Sequence, residues 1–220
     1  MHACKRLILT ELRNRRNVFF LTVGAIILLH TVISILIIQR VNIDLIRWID
    51  IGMISTVFFI PFLRAFTIWQ DEWNHQSIHR LLTLPISRIY LLFIKYIVIL
   101  IEVITLLILT TLAMWIQWQV SNGLLFRVEP ILKMDWMSIE QILNILLSIT
   151  TLIFICFMSY LLGKSISLPY LQVTFITVVL SLLVSITIYS IVPHFLTFLV
   201  FGLTYSLISY YLLDNKVFVE

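Results

Sequence analysis

The sequence predicts an all-α polytopic membrane protein with six transmembrane helices, and three observations carry that prediction. First, the chain has 220 residues, of which 61% are apolar and 12% charged, whereas an ordinary soluble domain holds roughly 45–50% and about 25%. So little charge cannot coat a globule of this size, which leaves lipid as the solvent. Second, six apolar runs reach the ~20 residues that a helix needs to cross a hydrocarbon core of ~30 Å. Third, Lys and Arg divide unequally between alternate connections, which sets an orientation. Five Gly and five Pro also exclude collagenous and disordered classes.

Residues 1–17 come first. Cys4, Leu7, Ile8 and Leu12 recur at helical spacing, with Lys5, Arg6, Glu11, Arg13 and Arg15 around them, the pattern of an interfacial amphipathic elbow helix. The first span, 18–38, follows Arg15-Arg16-Asn17; it is too long and too late for a signal peptide and precedes no small-residue cleavage site. The second, 51–69, contains Pro61, which should kink it. The third, 89–118, is long enough to project beyond the lipid. The fourth is 142–162, and the fifth, 170–192, is punctuated by Pro169 and Pro193. The sixth is 195–213, so residues 1–220 form one transmembrane domain.

With the amino terminus inside, Lys5, Arg6, Arg13, Arg15, Arg16, Arg64, Arg80, Arg88, Lys95, Lys164 and Lys216 fall at the cytoplasmic side. Only Arg40, Arg47, Arg127 and Lys133 fall outside, among the acids Asp44, Asp50, Glu129, Asp135 and Glu140. Eleven against four predicts a multi-pass protein of the cell membrane with both termini cytoplasmic. The six Trp, at 48, 69, 73, 115, 118 and 136, lie near span ends, where an amphipathic indole prefers to sit.

Catalytic patterns are missing. No His is followed by Glu, so the zinc-protease H-E-x-x-H is absent, and Gly163-Lys164-Ser165 lacks the Gly that a phosphate-binding loop needs five residues earlier, where Met158 stands. Cys4 and Cys156 indicate no disulfide framework and lack the neighbours of a metal site. Ionisable residues inside spans are functional candidates because they are expensive there. Counted from the cytoplasmic ends of their spans, His30 and Glu102 lie ~18 and ~20 Å deep. A hydrogen-bonded pair is possible at that shared depth, as is an arrangement in which each separately faces a water-filled vestibule or a partner subunit; both are candidate positions on a transport pathway. Arg64 and Lys95 are shallower and can snorkel to headgroups.

The most informative segment is the connection 70–88, which mixes acid, base and exposed aliphatics. Ser77 can cap a short helix whose Ile78, Leu81 and Leu82 share a face before Pro85 stops it. Such an apolar ridge can lie on lipid or fit a groove on a soluble partner. With Asp71 and Glu72, the hydroxyl of Ser77, the pair Leu81-Leu82, then Leu84-Pro85-Ile86-Ser87-Arg88 and Lys95, the segment resembles the cytoplasmic loop of ABC-transporter permeases of the type-two exporter class. The family pattern reads Glu, a Gly-Thr pair, a Leu pair, Pro-hydrophobic-Ser-Arg and a later Lys; here Gln76-Ser77 replaces Gly-Thr. The family's long outer segment before the last span is also missing, since Ile191-Val192-Pro193-His194 alone joins spans five and six.

The resemblance implies a permease subunit that pairs with itself or a relative and docks two separate ATPase subunits on its cytoplasmic face. It places the coupling role on Glu72, Ser77, Leu81, Leu82, Pro85 and Arg88, with ATP and Mg held by the partner and no cofactor in this chain. By analogy, small permeases of this kind export amphipathic or antimicrobial peptides, and sometimes drugs or lipids. Three other classes compete: an intramembrane hydrolase, for which only His30 could serve as an internal base; an ATPase-independent receptor or immunity protein; and a secondary transporter, toward which only Pro61 points.

Overall fold

The structure is a computed structural model that describes residues 2–39, 42–74, 87–123, 125, 136–166, 169–192 and 194–215. Among these residues the regular structure is entirely helical: α1 (His2–Ile38), α2 (Ile43–Asn74), α3 (Arg88–Val120), α4 (Trp136–Ser165), α5 (Tyr170–Ile191) and α6 (Phe195–Asn215). Each contains a stretch long and apolar enough to cross a membrane, so the chain is a multi-pass membrane protein with six such helices among the described residues.

The helices run past the apolar segments that define them. α1 has 37 residues, α2 32 and α3 33, each ~50 Å long at ~1.5 Å per residue, well beyond the hydrocarbon thickness. A separate elbow is not formed, because residues 2–17 and 18–38 are one continuous helix. Neither Gly nor Pro occurs between His2 and Val18, so nothing in the basic run Arg13–Arg16 stops propagation. Likewise Asp50, grouped with the outer segments above, sits one turn and more inside α2 and is buried.

Local chemistry explains the ends. Asn42 accepts from the Asp44 amide at the start of α2 (3.0 Å). α3 stops where Asn122 and Gly123 turn left-handed (φ 52° and 82°), and the Gly123 amide donates to the Trp118 carbonyl at 3.1 Å, closing the helix terminus. Pro169 precedes α5, and its carbonyl accepts from Gln172 and Val173. His194 Nδ1 accepts from the Leu196 amide and Thr197 Oγ1 donates to the Val192 carbonyl, which tightens the α5–α6 connection.

The chain forms two compact units, residues 1–60 with 98–138 and residues 61–97 with 139–220. In the first, Ile26, Val57 and Leu106 make one apolar cluster, and Ile33, Ile46 and Leu125 another. In the second, α4 is enclosed: residues 153–161 are all buried, as expected of a helix apolar on every face. Hydroxyls join its neighbours, with Thr151 donating to the Phe198 carbonyl (2.8 Å) and Tyr205 Oη within 3.1 Å of Ser185 Oγ.

The α4–α5 corner depends on a glycine. A Cβ built on Gly163 would lie 2.2 Å from Thr174 Oγ1 and 2.8 Å from the Tyr170 carbonyl oxygen, whereas one on Gly24 would meet nothing within 4 Å. Gly163→Ala should therefore cost about 1–3 kcal/mol through overpacking, while Gly24→Ala should leave stability unchanged or raise it by up to about 1 kcal/mol through helix propensity. Thermal unfolding of the two variants in detergent checks the contrast.

Candidate functional site

The described part of the 70–88 segment consists of its two ends, the last turn of α2 and the first of α3. Ser77, Leu81, Leu82 and Pro85 lie outside the described residues, while Glu72 and Arg88 are described. Both are tied to other helices of the second unit. Lys95 Nζ donates to Glu72 Oε1 at 2.8 Å, and their side chains are 3% and 13% exposed. Arg88 donates to the Asp214 carboxylate and to its backbone carbonyl near the end of α6.

The reach of these contacts follows from helix geometry. Arg88, Leu92 and Lys95 recur at i, i+4 and i+7, so they share one face of α3. Lys95 is two turns inside the helix, and its long stem lets the ammonium meet a carboxylate on the last turn of α2. Lys95 does not snorkel to headgroups as expected. Inside a lipid-surrounded fold a paired carboxylate within reach holds an ammonium better than an exit through apolar side chains does.

An aromatic frame surrounds the pair. Lys95 Nζ is 5.3 Å from the centre of the Trp69 ring, close enough for a cation–π attraction. Trp69 is fully buried, edge-on to Phe157 at 5.6 Å, and so is a core residue and not the interfacial indole expected. One turn on, Trp73 packs against Tyr160 at 5.7 Å, and Lys164 Nζ lies 5.9 Å from the Trp73 ring and 4.3 Å from that of Tyr170. The helix ends on either side of residues 75–86 are thus held by an ion pair, by indoles packed edge-on against Phe157 and Tyr160, and by Arg88–Asp214. Among the described residues the arrangement sets no nucleophile beside a base; its contacts tie the two ends of the segment to α3, α4 and α6.

A family model, that of the ABC-2 family transporter protein, matches residues 7–171, three-quarters of the chain and all of this site except Asp214. The chain belongs to the ABC-2 transporter family. An ABC-2 chain is the membrane permease component of a transporter and associates in general with ABC ATPases. No curated protein and no solved structure matches this one.

The other expected residues of this ABC-2 permease are not brought together. His30 and Glu102 are both buried, but His30 Nδ1 meets Gln117 Nε2 at 3.1 Å, and Gln117 is fifteen residues beyond Glu102 on α3, ~22 Å along the axis. The shared depth fails because it counted α1 from residue 18. Counted from the observed starts, His30 is 28 residues beyond His2 and Gln117 is 29 beyond Arg88, which places these two at one level. Asp214 and Gln117 escaped sequence reading, since only packing reveals which polar group each cation or imidazole meets.

Removing one member of a buried pair strands the other, at about 3–5 kcal/mol, whereas a partly exposed pair contributes ~1 kcal/mol or less. Lys95→Met should therefore destabilise this permease several-fold more than Arg88→Gln. Chemical denaturation of the purified variants in mixed micelles measures both.

Proposed function

We propose that this chain is the membrane-spanning subunit of an ATP-driven ABC-2 exporter, working as a homodimer or beside a related permease and docking two ATPase subunits through residues 70–88. The observation that supports the reading most directly is the pair of anchored ends: Glu72 held by Lys95 and Arg88 held by Asp214, on either side of a segment whose Ser77, Leu81, Leu82 and Pro85 suit a docking helix. The eleven-to-four basic asymmetry supports a cell-membrane protein with this segment and both termini in the cytoplasm. ATP and Mg then belong to the partner. Closure of the ATPase dimer would press on the segment, and the fixed ends would carry the movement into α2 and α3, exchanging inward and outward access.

His30 and Glu102 are proposed as pathway positions at two separate levels, since each is an ionisable group buried in a membrane-spanning helix. The proposed cargo is an amphipathic peptide, antimicrobial peptides included, by analogy with small permeases of this kind.

The test is a pull-down of the tagged permease from its own membranes with identification of an ABC ATPase subunit, repeated with Leu81→Ala/Leu82→Ala. Truncating two docking anchors should lower ATPase binding at least tenfold, the equivalent of about 1.4 kcal/mol, while the permease alone keeps its stability to within about 0.5 kcal/mol. Unchanged binding would remove the docking role from these residues. A permease that never copurifies with an ATPase would favour the receptor or secondary-transporter reading.

A further inference from the structure

The first unit contains a groove of about 470 Å³ between α1 and α3 that the coupling site does not use, a size that suits a small ligand or a short piece of chain. His30, Thr31 and Ser34 line it from α1, and the α3 wall runs from Thr105 to Ile116, ~16 Å along the axis. The rest of the wall is Ile, Leu and Ala, and no charged side chain among the described residues lines it. Ile108 and Leu112 on the α3 side are exposed, so a ligand can enter from the side.

The polar groups on these walls divide into acceptors and one donor. Thr31 Oγ1 donates to the Leu28 carbonyl (2.7 Å), Ser34 Oγ to the His30 carbonyl (2.9 Å), and Thr105 Oγ1 to the carbonyls of Ile101 and Glu102 (3.0 and 2.8 Å). Each hydroxyl therefore commits its proton to its own helix and offers the groove lone pairs alone. His30 is the opposite case. Gln117 Nε2 lies 3.1 Å from His30 Nδ1 and 3.4 Å from the His30 carbonyl oxygen. A carbonyl can only accept, so the amide nitrogen of Gln117 faces it and also donates to Nδ1, and an imidazole that accepts at Nδ1 carries its proton on Nε2. That Nε2 has no partner among the described residues, and His30 is 4% exposed. With the Nδ1 edge of the ring taken by Gln117, the Nε2 edge is what His30 has left for the groove, and a buried donor of this kind calls for an acceptor.

Depth and chemistry together select the occupant. His30 is thirteen residues beyond Asn17 and eight before Ile38, ~20 and ~12 Å along α1, whereas a resident lipid keeps its polar groups at the hydrocarbon border and brings only methylenes to this depth. A transmembrane helix of a second copy has its peptide groups bonded within itself. What fits is an uncharged apolar ligand that carries both an acceptor and a donor into the groove, which is the chemistry of a peptide group outside a helix. We propose that the α1–α3 groove binds a short, uncharged, apolar peptide segment in extended form, one carbonyl oxygen of which accepts from His30 Nε2 while its N–H groups donate to the hydroxyl oxygens of Thr31, Ser34 or Thr105. At ~3.3 Å per extended residue, ~16 Å holds about five residues. The inference rests on the permease reading above, since it names the part of the cargo that the permease holds; charged residues of that cargo stay outside the groove.

The test is photolabelling of the full-length permease, alone in lipid bilayers, with an end-capped pentapeptide of leucine that carries one diazirine. Labels mapped by mass spectrometry should fall on residues 27–34 and 105–116 and be competed by the unlabelled peptide. A diazirine hydrocarbon chain of the same length, or the pentapeptide with every peptide nitrogen methylated, should label these residues at least tenfold less. His30→Phe should lower peptide labelling at least tenfold and His30→Gln, which keeps an N–H donor, should restore most of it. Ala113→Phe fills the groove without touching the His30–Gln117 contact, and should abolish labelling at an unchanged unfolding midpoint; it decides the matter where His30→Phe fails to fold. Labelling outside the groove, equal labelling by the hydrocarbon chain, or wild-type labelling in folded Ala113→Phe or His30→Phe would overturn the proposal. Because no ATPase is present, groove labelling without ATPase copurification would keep the site and remove the exporter, while a bound ATPase without groove labelling would remove the site and keep the exporter.

Discussion

An ammonium and a carboxylate placed together inside an apolar fold constrain the rest of the second unit. Lys95 and Glu72 are both largely removed from solvent, so each requires the other, and that requirement sets where α2 ends relative to the first two turns of α3. The indole of Trp69 beneath the ammonium and Phe157 against the indole extend the constraint to α4. Arg88–Asp214 adds α6, with less energy because it is partly exposed. A short connection bounded by such contacts is held at both ends whatever happens at its middle, which is the property a transmission element needs.

Elsewhere the packing has no aqueous driving force to rely on, because lipid tails are as apolar as leucine. Close contact and hydroxyl pairing take its place: Gly163 admits Thr174 at the α4–α5 corner, Thr151 reaches the Phe198 carbonyl, and Tyr205 meets Ser185. Such bonds contribute on average about 0.6 kcal/mol each, so shape does most of the work. The Lys95–Glu72 ion pair and the His30–Gln117 contact fix register more sharply than shape alone.

The six helices were legible because a ~20-residue apolar run has few other solutions; the segment's resemblance to the family picked out Glu72 and Arg88 but put Glu72 in the connection, whereas α2 continues through it to Asn74. What failed was depth. Charge clusters were read as the borders of spans, yet the helices continue through Arg13–Arg16 and around Asp50, since backbone hydrogen bonding ignores the hydropathy of the side chains that ride on it. One error at the start of α1 carried over into the His30–Glu102 comparison. Lys95 and Trp69 were misjudged for a related reason: a single helix shows how far a side chain lies from the interface but not what a neighbouring helix offers it. The middle of the connection, with Ser77, Leu81, Leu82 and Pro85, rests on sequence alone.

The central claim is that Lys95 and Glu72 act as a pair that transmits, and a double-mutant cycle tests it most directly. Lys95→Met, Glu72→Met and the double variant would be reconstituted with the ATPase partner, and both unfolding free energy and substrate-stimulated ATP turnover measured. The account predicts strong non-additivity, with a coupling energy of about 2–3 kcal/mol in stability and loss of stimulation in all three variants, including the double variant that regains stability. Additive effects, or full stimulation in a stable double variant, would contradict it.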